Sequence, residues 1–102
     1  MTKARLYFEA HITVDRPEHV GMLFWERFVR IGEKYDWKCS KFDQDDVDGY
    51  HDKWFMGARD TDFEQLKIRM KDTIKTLTEF WFNVIRFKIE DTLLDSKYGD
   101  VL

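Results

Sequence analysis

The 102-residue sequence is poor in several features that would narrow its class at once. It has one cysteine, Cys39, so it can form neither an internal disulfide nor a cysteine-built metal cage, and this usage suits a reducing compartment. Its one proline is Pro17, and no Pro-, Gly- or Ser-rich stretch reads as a linker. No apolar run approaches the roughly 18 residues of a membrane span. The opening MTKARLYFEA lacks the apolar core of a secretory signal. Cationic residues are not in excess: 17 Lys and Arg stand against 20 Asp and Glu, a net charge of −3, so nothing draws the chain generally onto nucleic acid or anionic lipid. A cytoplasmic protein with no membrane contact is the expectation.

Aromatics, by contrast, are abundant. Nine Phe, four Trp and four Tyr carry more buriable surface than a disordered chain would hold, and the length suits one core. Residues 1–102 therefore read as a single α+β domain, with 91–102 as a polar tail.

Leu6, Phe8, Ala10, Ile12 and Val14 alternate with Tyr7, Glu9, His11 and Thr13, the period of a half-buried strand. Asp15 as N-cap, with Pro17 in the first turn, predicts a helix from about Pro17 to Tyr35. Its stripe is Val20, Phe24, Phe28, Ile31 and Tyr35. Strands at Trp37–Phe42 and Lys53–Arg59 flank an acidic loop to make a hairpin. Thr61-Asp62-Phe63-Glu64 has the form of a capping box, opening a helix striped by Phe63, Leu66, Met70, Ile74, Leu77 and Trp81 and ending near Asn83. A last strand, Val84–Glu90, alternates Ile85, Phe87 and Ile89 with Arg86, Lys88 and Glu90. The order βαββαβ, with right-handed crossovers, predicts a ferredoxin-like antiparallel sheet ordered 4-1-3-2 with both helices on one face.

Such a fold leaves one sheet face open. Parity puts Tyr7, Glu9, His11 and Thr13 there from the first strand, and Arg86, Lys88 and Glu90 from its neighbour. Arg59 joins them if Phe55, Gly57 and Arg59 face out, rather than Trp54, Met56 and Ala58. One imidazole, two carboxylates and several cations could hold an anion and move a proton. Oppositely charged cross-strand pairs are also ordinary on solvated sheets.

Several familiar chemistries fail on detail. RNA-recognition modules share the topology, but their stacking aromatics are missing from the first strand apart from Tyr7, and Lys53–Arg59 lacks the expected glycine–aromatic spacing. Small acyl phosphate hydrolases cradle phosphate in the first strand–helix loop, where this chain has acidic residues and a misplaced glycine. His11-Ile12-Thr13 resembles the His-x-Thr element of two-histidine phosphoesterases, which need two copies. The acidic loop Asp43, Asp45, Asp46, Asp48 fails as an EF-hand: with Gly49 as sixth position, Phe55 falls where a bidentate Glu belongs. No metal and no cofactor is called for.

The first helix has an apolar surplus. Met22 and Val29 lie nearly opposite its core stripe, with Trp25 between, and Gly21 and Gly32 would let another backbone come close. Either another part of the chain covers this face, or a partner or second copy does.

Phe8-Glu9-Ala10-His11-Ile12-Thr13-Val14 and the run from Arg86 to Ser96 resemble a family of small, single-domain, uncharacterised proteins of bacteriophages and large DNA viruses. The resemblance spans most of the chain but carries no activity across; it implies a small acidic domain binding a host protein or a nucleotide signal. Two functional readings follow. One is a non-catalytic module that binds a protein partner or itself, as a homodimer, through Trp25, Met22 and Val29. The other is a phosphorylated small-molecule site, with His11 as acid or base, Glu9 or Glu90 orienting it, Arg86, Lys88 and Arg59 on the anion, and Tyr7 and Thr13 alongside.

Overall fold

Strand β1 (Leu6–Asp15) is central because its inward side chains are wholly apolar: Ala10, Ile12 and Val14 are all fully buried. The computed structural model describes residues 6–17, 22–41 and 53–93. Within them, β1 is followed by α1 (Met22–Lys34), β2 (Lys38–Lys41), β3 (Lys53–Asp60), α2 (Phe63–Glu79) and β4 (Asn83–Leu93). The protein is α+β, with four antiparallel strands in the order β2-β3-β1-β4, which is the expected 4-1-3-2 read from the other edge. Both helices pack on the face that carries Ala10, Ile12 and Val14 of β1 and Trp54 and Met56 of β3. No helix among the described residues is long and apolar enough to cross a membrane.

The core is built from rings. Phe28 of α1 is fully buried and lies within 5.4–5.6 Å, centre to centre, of Trp25, Trp54 and Phe82. Phe24 meets Phe82 edge-on at 5.8 Å on one flank, and Trp25 meets Trp54 at 5.0 Å on the other. This accounts for Trp25 in the apolar arc of α1: ring contacts reach the helix on both flanks. Gly32 shows why a glycine interrupts the arc, since a Cβ there would collide with Cys39 Sγ of β2.

Helix ends correct the sequence expectations. At the start of α2 the cap is Asp62, whose carboxylate accepts the Gln65 backbone N–H at 3.1 Å, and Thr61 is exposed. Asp wins because its side chain reaches the third helical N–H from the residue directly before Phe63. The helix closes at Glu79, and Asn83 instead opens β4. Trp81, expected in the apolar stripe, is 85% exposed at a positive φ of 71°, and Thr73 is buried in the stripe.

The two helices close by one device. Trp37 N–H donates to Gly32 C=O at 2.7 Å and Asp36 N–H to Glu33 C=O at 3.2 Å; likewise Phe82 N–H donates to Leu77 C=O at 2.9 Å and Trp81 N–H to Thr78 C=O at 3.0 Å. Each is a Schellman turn, with Asp36 or Trp81 in the left-handed region where glycine is usual. Each then delivers an aromatic, Trp37 or Phe82, into the core. Trp37 Nε1 donates to Thr73 Oγ1 at 2.9 Å, and Tyr35 and Thr76 share a hydrogen bond of 2.9 Å, so the end of α1 is pinned to α2.

The phase of β4 also differs from its simple alternation. Thr13 pairs with Arg86 but Val14 with Val84, so Ile85 is the extra residue of a bulge. Val84 takes the core position expected for Ile85, which is 44% exposed. Beyond Glu90 the strand runs on to Leu93, so residues 91–93, expected in a tail, belong to β4; residues 94–102 and the acidic loop Asp43–Gly49 lie outside the described residues.

Candidate functional site

The open sheet face gathers the residues that parity assigned to it. Register places Glu9 opposite Arg59 on β3 and opposite Glu90 on β4, His11 opposite Gly57 and Lys88, and Thr13 opposite Phe55 and Arg86. With Trp54 and Met56 buried, the open parity of β3 is that of Phe55, Gly57 and Arg59. His11 is half-buried, and an open trough runs from it and Glu9 across Gly57 to Lys38 and Ser40 of β2.

The charges here are already paired. Arg59 Nε lies 3.3 Å from Glu9 Oε2, and its guanidinium also rests over the Tyr7 ring at 5.1 Å. Lys88 Nζ lies 3.0 Å from Glu90 Oε2. That hydrogen bond, with the charge of Lys88 and smaller contributions from His11 and Arg86, holds the Glu90 carboxyl below its ordinary range. His11 Nε2 approaches Glu9 Oε1 only to 3.7 Å, too far for a hydrogen bond. Two of the three cations expected to grip an anion are thus engaged by the carboxylates expected to orient the histidine. Arg86 is exposed, and the arrangement gives a phosphate little unopposed positive charge.

Of the α1 surface expected to meet a partner, Trp25 is taken up by the chain itself. Trp25 stacks on Phe28, meets Trp54 edge-on and carries Lys41 Nζ at 4.5 Å over its ring. Val29 is half-buried, and the Met22 side chain lies outside the described residues.

A different apolar surface is open. Phe87 lies on the helix-side face of β4, paired with the fully buried Ile12, yet is 58% exposed on what is, among the described residues, an edge strand. Phe87 and Ile89 form one wall of a groove whose other wall is Phe63, Met70 and Ile74 of α2. Phe63 is 39% exposed and packs edge-on against Phe8 at 5.3 Å. Lys67, Lys71 and Lys75, four residues apart and therefore in one row along α2, border this groove. Sequence reading missed it because Phe63 and Phe87 both sit at phases that normally mean core. The signal that was available is the row of lysines beside the stripe.

Comparison with protein-family models, with curated proteins and with solved structures found no match.

Proposed function

We propose that this protein is a binding module that takes an extended acidic–apolar segment of a protein partner into the groove between α2 and β4. The observation that carries the reading is Phe87, 58% exposed beside a strand edge that no other described strand pairs, and facing a lysine row. An edge strand offers a rank of backbone N–H and C=O groups that an incoming strand can pair, and alternate side chains of that strand fall on one face. Apolar residues of the partner fill the space between Phe63 and Phe87, and its Asp and Glu side chains meet Lys67, Lys71 and Lys75. Charge complementarity selects an acidic segment over a basic one. The order βαββαβ and the strand order also support assigning the domain to the ferredoxin-like folds.

Fluorescence anisotropy with a labelled peptide of alternating Val and Glu tests this, beside a Val and Lys control. The Glu peptide should bind, weaken with added salt, and lose at least about tenfold in affinity with Phe87→Ser or Lys71→Glu. Equal binding of both peptides, or none, would overturn the proposal. So would a concentration-dependent doubling of mass abolished by Phe87→Ser, which would assign the groove to a second copy.

A further inference from the structure

We propose that Glu9, His11 and Glu90 form a binding site for a borderline first-row divalent cation such as Zn2+ or Co2+. The site is separate from the α2–β4 groove and rests on the other face of the sheet.

The backbone brings three ligands of two types, two carboxylates and an imidazole, together without any loop. Glu9 and His11 are two residues apart on β1 and so share a face, and the β1–β4 register sets Glu90 directly across from Glu9. One donor atom from each of the three lies within 4.8 Å of the other two. These side chains are half-buried or exposed, so rotamer changes of ordinary size can close the donors onto one ion.

Two features set the trio apart from an incidental acidic patch. First, like charges placed directly opposite on antiparallel strands are unfavourable, and Glu9 and Glu90 keep that placement. Arg59 and Lys88 offset part of that repulsion at the two Oε2 atoms, and a cation between the carboxylates would offset the rest. Second, Arg59 and Lys88 each engage the Oε2 of one carboxylate, at 3.3 and 3.0 Å, and the Oε1 of Glu9 is turned toward the imidazole at 3.7 Å without bonding to it. Ligating carboxylates are commonly held by outer hydrogen bonds of this kind, which fix the orientation of the free oxygen.

Ligand chemistry selects the ion. An imidazole with two carboxylates suits Zn2+, Co2+ or Mn2+ better than Ca2+ or Mg2+, which favour all-oxygen shells. Three protein ligands leave at least one position for water, and the neighbouring trough past Gly57 gives solvent access to it.

Isothermal titration of chelator-stripped protein with Zn2+, paralleled by the visible absorption of bound Co2+, tests the site. One ion per chain is expected, with affinity reduced at least about tenfold in His11→Ala and in Glu90→Gln and the Co2+ band weakened in both. Asp72→Asn, on exposed α2, should bind as the parent does. All three positions are outside the core, and circular dichroism verifies that each variant is folded. Absence of binding to the parent, or binding that His11→Ala and Glu90→Gln leave unchanged, would overturn the proposal.

Discussion

Two aromatic regions of this protein use the same residue types to opposite ends. On the α1 side, Trp25, Phe28, Trp54 and Phe82 interlock at centre-to-centre distances of 5.0–6.3 Å. On the α2–β4 side, Phe63 and Phe87 face each other across an open groove, and Trp81 stands in solvent at the helix end. Amino-acid type does not separate the regions, and neither does phase, since Phe87 alternates inward as correctly as Ile12 does. Coverage separates them: α1 has ring contacts on both flanks, whereas nothing among the described residues lies over the outer edge of β4. Burial is a property of the layer above a residue as much as of the residue.

The sharpest way to break this contrast is a pair of truncations. Phe28→Ala should cost about 3–5 kcal/mol in urea or guanidinium unfolding, because it empties the centre of the ring cluster. Phe87→Ala should cost less than about 1 kcal/mol, since most of that ring is already in water. Equal losses would mean that the groove is filled in solution by something from the chain itself.

Thr73→Val probes the seam where α1 is pinned to α2. The variant keeps the shape but removes the oxygen that accepts from Trp37 Nε1, leaving a buried donor unpaired at a cost of about 1–3 kcal/mol. A thermal melt reads the loss.

Trp81→Gly should change stability in the other direction. A bulky residue at φ 71° is strained where glycine is not, so relief of up to about 1 kcal/mol is expected, seen as a raised melting temperature. Loss of stability on this change would show that the Trp81 ring makes contacts worth more than its strained backbone.

Cys39 should give no effect at neutral pH and one visible only in alkali. Its burial, with some help from the Glu33 charge, pushes the thiol from its ordinary value of 9.0 up to about 11. Between those values the folded chain retains a proton that the unfolded chain has released, so this group makes stability fall as pH rises through about 9 to 11 and contributes no slope below. Comparing denaturant midpoints of the parent and Cys39→Ala over that range isolates the slope, which the variant should lack.

Much of this architecture is legible in the residues themselves. The alternation from Leu6 to Val14 gives β1 and both of its faces, and topology then brings His11, Glu9, Glu90, Lys88 and Arg59 together without any contact being known. What is not legible depends on local competition or distant placement. A one-residue bulge at Ile85 moves Val84 into phase, and no propensity marks it. Asp62 displaces Thr61 as cap because both are good caps one residue apart. The ion pairs that quiet the open face depend on side-chain reach, and the exposure of Phe87 depends on where α2 lies relative to the edge of the sheet.

The paired Schellman turns imply that the domain contains a repeat of path without a repeat of letters. Gly32 through Trp37 and Leu77 through Phe82 share no residue at any matched position, yet each stops a helix, reverses through one left-handed residue and drops an aromatic into the same core. Each half of the βαββαβ order therefore carries its own punctuation. Lengthening or shortening one helix leaves the other half's stop signal intact, so the two halves are free to diverge in their surfaces while holding a common frame.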